Sequence, residues 1–302
     1  TDDAGNLQPP KLNVLSLQES KGLSVDELAT HLDLFKVQRS TITALLETLE
    51  HAKTFGSLIQ IPYALKTHLA VLPEVLDKAR KSGDMYATAA ADDLLPLVQQ
   101  AQVLAMQFDA VVANPPYMGS KGMNPILKMY AKRAYPDGKS DSFAMFIERG
   151  FNWCKPLGFN SMVTMQGWMF LSSFESFRSR LLRERSIVTM AHLGARAFPE
   201  ISGEIVQTTA FVLLNYCSSV YLPSFFRLIE GGDEAKRKKL LLRQSKFESI
   251  RQEDFRKIPG EPVAYWVSDK ELAIFEGHPS VGRHSAIRAG MATGNNDRHI
   301  RL

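Results

Sequence analysis

The run Phe108-Asp-Ala-Val-Val-Ala113, followed at once by Asn114-Pro115-Pro116-Tyr117, constrains this chain more than any other stretch. Six residues dominated by apolar and β-branched side chains predict a short strand of the kind that parallel sheets bury. Two consecutive prolines lack the N–H groups that a ladder needs, so the strand must stop at residue 114. The stretch Met118-Gly-Ser-Lys-Gly-Met-Asn-Pro125 then has the composition of a loop.

The texture differs on the two sides of this strand. Upstream, Ile42, Leu45, Leu46 and Leu49 share one helical face, as do Leu65, Leu69, Leu72, Val75, Leu76 and Ala79, and then Leu94, Leu95, Val98, Ala101 and Ala105. Ser24 and Glu27 have the spacing of a capping box. Residues 1–106 therefore read as a mainly helical region, with Leu12–Leu17 as a candidate strand. Downstream, Phe159–Met165, Ile187–Leu193 and Thr208–Asn215 read as strands. One helix is expected from Asp141 to about Cys154, and another opened by a capping box at Ser172-Ser-Phe-Glu175. Alternating strands and helices are the pattern of a doubly wound α/β sheet. The expected fold class is α/β, with a partial Rossmann-like sheet over 107–220. Residues 221–302 read as a linker and the start of a further module, with a candidate strand at Leu222–Ile229 and a charged helix or linker at Glu234–Arg243. The Lys236-Arg-Lys-Lys239 run reads as a solvated face.

The bulk numbers exclude several classes. Of 302 residues, 45% are hydrophobic and 23% charged, which suits a globular protein. No apolar run reaches the roughly 18 residues of a membrane span. The polar start, Thr1 to Asn6, is not a signal peptide, and the missing initiator Met suggests a piece of something longer. Cys154 and Cys217 form no metal-ligand pattern with each other or with a histidine, so neither zinc nor a disulfide is expected, and both read as reduced core thiols of a cytoplasmic protein. His31, His51 and His68 stand singly and suggest no site. A net charge of +4 is compatible with nucleic acid without arguing for it.

The loop after the first strand carries the chemistry. Asn114 offers a side-chain oxygen and Pro115 a backbone carbonyl. Pro115 and Pro116 fix two successive φ angles, so that carbonyl is aimed at low entropic cost. Tyr117 offers a face on which a base can stack. Such a set suits methyl transfer to an exocyclic amine. The lone pair of that nitrogen is delocalised into its ring, and acceptors placed for its two N–H groups favour the transition state over the ground state. Ligands of open α/β sheets bind beyond the carboxyl ends of the strands, where this loop sits.

Phe108–Tyr117 resembles motif IV of the class I methyltransferases that modify amino groups. Leu193-Gly-Ala-Arg-Ala-Phe-Pro199 with Val206-Gln-Thr-Thr-Ala-Phe-Val-Leu213 resembles motif VIII of the γ-class adenine DNA methyltransferases, in which Phe198 matches the aromatic that closes over a flipped base. The other reading of Phe198 is an ordinary core aromatic. Longer stretches from Asn114 through Asn124, Lys139 through Gly150, Met165 through Ser173 and Ala191 through Phe198 are similar to the adenine methyltransferases of BREX phage-defence systems, the PglX family. Ile258-Pro-Gly-Glu-Pro-Val-Ala-Tyr-Trp266 and Gly290-Met-Ala-Thr-Gly-Asn-Asn-Asp-Arg298 are similar to that family's passage into its target-recognition region.

The resemblance implies S-adenosyl-L-methionine as cofactor, double-stranded DNA as partner, other phage-defence components as further partners, no membrane, and base flipping in a phage-defence or restriction-modification system. Asn114, Pro115, Pro116 and Tyr117 would be catalytic, with Tyr117 and Phe198 stacking on the target base. The chain departs from the family in one respect. No Gly-rich motif I follows a strand before Phe108, so no cofactor-binding residue is assigned, and the 302 residues alone are expected to methylate nothing. Asn-Pro-Pro-Tyr also serves enzymes that methylate a glutamine amide of release factors, and some RNA methyltransferases. A non-catalytic DNA-binding component with a methyltransferase shell is a third reading. No nuclease motif is visible.

Overall fold

A computed structural model describes residues 12–198, 206–279, 283 and 285. The Gly290–Arg298 stretch and Pro199 lie outside the described residues. Before residue 106 the chain is helical, and Leu12–Leu17 forms no strand. Four helices, Val25–His31, Arg39–Leu49, Leu72–Arg80 and Met85–Ala105, pack around leucine, alanine and isoleucine side chains. Ser24 caps the first helix by accepting from the Glu27 N–H at 3.4 Å. Asp84 caps the last by accepting from Tyr86 and Ala87.

Among the described residues six strands follow: β1 (Phe108–Ala113), β2 (Cys154–Met165), β3 (Ser186–Gly194), β4 (Thr208–Leu214), β5 (Ser224–Arg227) and β6 (Lys246–Phe247). They form one sheet in the order β1-β2-β4-β3-β5-β6. β1 runs parallel to β2, and β3 runs parallel to β5. β4 is inserted antiparallel between β2 and β3. β1, β2 and β3 therefore point the same way, and their carboxyl ends meet at one edge. The sheet is mixed α/β, as the strand–helix alternation predicts, and the antiparallel strand is what the sequence pattern alone did not distinguish.

Helices Ser142–Trp153 and Glu175–Glu184 cover one face, over a core of Phe143, Trp168, Phe177, Phe211, Phe225 and Tyr265. The first fits closely because Gly150 has no side chain: a Cβ there would come within 2.6 Å of the Asn160 amide. The second does not begin with a side-chain cap. Ser172–Phe174 forms a 3-10 turn and leads directly into the helix. The other face of the sheet carries Val112, Val163, Ala210 and Phe226 along a shallow apolar groove. β1 was expected to be buried, yet Val112 is 80% exposed and β1 pairs with β2 alone among the described strands.

The helical region is joined to the sheet by a buried cation. Arg149 Nε donates to the Ser57 carbonyl at 2.9 Å, and its guanidinium donates to the Leu104 carbonyl at 2.8 Å while lying 4.2 Å over the Trp153 ring. Cys154 is buried, and desolvation pushes its thiol up to about 11; Cys217 is exposed and not a core thiol. No helix among the described residues is long and apolar enough to cross a membrane.

Candidate active site

The Asn114–Tyr117 loop leaves the carboxyl end of β1 and is fastened to the start of helix Ser142–Trp153. Asp141 is the N-cap of that helix and accepts from the Phe143 N–H at 3.3 Å. The same carboxylate accepts from the Met118 N–H at 3.0 Å. Ser142 Oγ donates to the Pro116 carbonyl at 2.6 Å and lies 2.9 Å from the Met118 nitrogen, and the Ser142 N–H donates to the Met118 carbonyl at 3.0 Å. A bridge between Gly119 and Asp141 extends the clamp. Asp141 and Ser142 hold the loop in shape, and sequence reasoning assigned them only a helix start. The two polar residues ahead of an apolar helical run were the signal available.

The clamp consumes the Pro116 carbonyl and leaves its neighbours available. Pro115 is buried and Asn114 exposed. The Asn114 Oδ1 lies 3.5 Å from the Tyr117 hydroxyl, at the outer limit of a hydrogen bond. No other described residue engages the Asn114 side chain or the Pro115 carbonyl. The Tyr117 hydroxyl is also 3.5 Å from the Val163 carbonyl, and its ring stands edge-on to Phe143 with centroids 6.3 Å apart. Partial burial raises the phenol's pKa, so Tyr117 is an uncharged aromatic with a half-buried ring. One edge of the sheet thus carries two acceptors and an aromatic side chain side by side.

Phe198 lies four residues beyond β3, which runs parallel to β1, so it follows from the same edge of the sheet as Asn114. It is 37% exposed and belongs to no core cluster among the described residues. The segment leading to it is held by Lys236, which is 3% exposed and donates to the Leu193 carbonyl at 2.5 Å and to the Ala195 carbonyl. Burial and Arg196 lower its pKa. The first lysine of the Lys236–Lys239 run therefore points inward, unlike the solvated face that its neighbours form. Gly194 and Arg196 adopt positive φ, and a Cβ at Gly194 would press on Ile229 at 3.2 Å.

The segment 258–266 packs against the same end of the molecule. Arg178, 1% exposed, donates to the carbonyls of Trp168, Leu171, Gly260 and Glu261, and the Val263 N–H donates to the Met169 carbonyl at 2.9 Å. Tyr265 then stacks on Phe225 with centroids 4.6 Å apart.

Known proteins of similar sequence give the chain its family. The model of the Eco57I restriction-modification methylases matches residues 32–198, more than half of the chain and the whole span from the helical region to Phe198. The chain belongs to that family. Among individual methylases of related sequence, it is 46% identical over 294 residues to the adenine-specific methyltransferase BrxX of Escherichia coli O9:H4 (strain HS), covering 90% of this chain and 24% of that protein. It is 39% identical over 212 residues to the adenine-specific methyltransferase PglX of Lacticaseibacillus casei (strain Zhang), covering 68% of this chain and 18% of that protein. The chain thus spans about a quarter or less of these relatives. Among solved structures, a nuclease-deletion mutant of the Type ISP restriction-modification enzyme LlaGI, in complex with a DNA substrate mimic, is similar at 14% identity and a TM-score of 0.39, over 79% of this chain and 26% of that one.

Proposed function

We propose that this chain carries the methyl-acceptor side of a DNA adenine methyltransferase, acting in a BREX-type phage-defence or restriction-modification system. The carrying observation is a pair of acceptors, the Asn114 Oδ1, which accepts only a long 3.5 Å contact from the Tyr117 hydroxyl, and the Pro115 carbonyl, which no described residue engages, beside the half-buried ring of Tyr117. An adenine extruded from duplex DNA stacks on Tyr117 and is closed in by Phe198. Its two amine N–H groups are received by Asn114 and Pro115. As the nitrogen pyramidalises toward the methyl donor, those hydrogen bonds strengthen, and the clamp of Asp141 and Ser142 keeps the acceptors from relaxing away. The site needs no charged base, because the amine nitrogen gives up its proton only after the new bond has begun to form.

The methyl donor implied by the family resemblance is S-adenosyl-L-methionine. The described residues do not fit it by themselves. The chain before β1 is helical, and among the described residues it forms no strand–glycine turn–helix cradle. No step is therefore routed through the cofactor here, and the isolated chain is expected to be inactive.

The test is methyl transfer by the full-length protein to duplex DNA, RNA and release factor. Duplex DNA adenine is the expected acceptor. Asn114→Ala should lower kcat by roughly 100-fold, as the loss of one preorganised polar group typically does, with DNA affinity unchanged. Methylation of release factor or RNA in preference to DNA would overturn the reading. So would DNA binding with no measurable affinity for S-adenosylmethionine.

A further inference from the structure

The strand order fixes what stands between the two halves of the candidate base site. Asn114 leaves β1 and Phe198 follows β3, with β2 and β4 between them. At about 4.8 Å per strand the gap spans roughly 14 Å. Its middle is occupied by Gln166, the residue after β2, and Gln207, the residue before β4. The Gln166 N–H donates to the Gln207 carbonyl at 2.9 Å, which extends the ladder by one pair. Their side chains are joined as well, with Gln166 Nε2 donating to Gln207 Oε1. Gln166 Oε1 lies 2.5 Å from His192 Nε2, and His192 Nδ1 lies 3.0 Å from the Tyr265 hydroxyl.

Donor chemistry gives this chain one direction. An amide oxygen only accepts, so His192 Nε2 carries the ring proton. Burial first, then the nearby Arg227 and Lys236, depress the imidazole to about 4 and keep it neutral. Nδ1 is then an acceptor, and the Tyr265 hydroxyl donates to it. Hydrogen bonds therefore run from Tyr265 through His192 and Gln166 to Gln207 Oε1. With its oxygen engaged, Gln207 has its amide nitrogen left to donate. Gln207 is exposed, and no described residue accepts from that nitrogen. Phe170 and Trp266 flank His192, with centroids 5.8 and 6.2 Å away, and limit its rotation.

The pairing edge of adenine carries an amine beside a ring nitrogen that accepts. Asn114 and Pro115 match the amine and offer nothing to the ring nitrogen. We propose that Gln207 supplies the missing donor, placing its amide N–H against the ring nitrogen adjacent to the amine of the extruded adenine. Gln207 is then a specificity-determining residue, and Gln166, His192 and Tyr265 are positioning residues. This inference rests on the reading of the chain as part of a DNA adenine methyltransferase. It also predicts rejection of a base with a carbonyl and a ring N–H at that edge. Such a base sets oxygen against the two acceptors and donor against donor, and unpaired polar groups of this kind discriminate strongly.

The experiment uses the full-length protein and a duplex carrying its methylation site, mapped from the DNA of cells that express it. Target adenine is compared with 1-deazaadenine, which replaces the ring nitrogen by C–H and keeps the amine. The wild type should prefer adenine by roughly 10-fold in kcat/KM, the value of one buried hydrogen bond. Gln207→Glu, which turns an acceptor outward, and Gln207→Leu should lower the rate on adenine by the same factor and erase the preference. Tyr265→Phe keeps the ring, removes the donor that sets the direction of the chain, and should weaken the preference while leaving KM for DNA unchanged. Equal rates on both bases by the wild type would overturn the proposal, as would a preference that survives in both Gln207 variants. Failure of the wild type to methylate adenine in any duplex would instead overturn the function on which the proposal rests.

Discussion

The helical region and the sheet region solve the same packing problem with different materials. Residues 12–105 bury leucine, isoleucine and alanine around a core with few polar members, Ser20, Thr41 and Gln100. The sheet region buries aromatic side chains together with Arg178, His192, Lys236, Asn160 and Thr164. Buried polar groups cost free energy unless each finds a partner, so their concentration marks where shape must be held rather than merely filled. Arg178 holds the 258–263 segment, Lys236 holds the segment leading to Phe198, and His192 holds Gln166. The aliphatic region has one smaller, uncharged counterpart, Gln100, whose amide accepts from the Gln18 N–H at 2.8 Å and donates to the Gln18 carbonyl at 2.7 Å, and it meets the sheet region through Arg149, which donates to carbonyls of Ser57 and Leu104.

The largest effect expected from this contrast is at Arg178. Arg178→Met keeps much of the volume and abandons four backbone carbonyls. Urea unfolding should show a loss of about 4 kcal/mol, and amide exchange should rise first in 258–266. A loss below about 1 kcal/mol would mean that the carbonyls find water and that the cation is not structural.

A smaller effect comes from His192, with a definite sign. Its folded pKa of about 4 lies below the ordinary value of 6.5. Below pH 6.5 the unfolded chain binds a proton that the folded chain refuses, so stability is complete above 6.5 and falls as the pH drops toward 4. The loss should approach roughly 3 kcal/mol and level off below pH 4. His192→Asn should remove this part of the slope. An unchanged pH dependence in that variant would place the imidazole in contact with water.

The same contrast explains what could be read from sequence. The Asn114 loop was legible because two prolines end a strand in only one way. The helical region was legible because its apolar positions recur at a single period. The His192 network was not, because Gln166, His192, Gln207 and Tyr265 meet only once β4 has inserted between β2 and β3, and no local pattern announces that crossing. Lys236 was hidden in a charged run, since its sequence neighbours are exposed and only the fold shows that this one stem turns inward. The exposure of β1 was equally invisible, because an apolar strand looks the same at the edge of a sheet as in its middle.

The smallest effect belongs to the aliphatic region and is the sharpest check on the contrast. Ile42 is 1% exposed and packs within the helical core. Ile42→Val removes one methylene and no polar partner, so unfolding should report a loss of about 1 kcal/mol. The pH profile should move in parallel with that of the wild type, because no titrating group changes its surroundings. In the full-length protein, the preference for adenine over 1-deazaadenine should also be unaltered. If Ile42→Val changes that preference, the helical region takes part in shaping the site, and the division between a filled core and a held one fails.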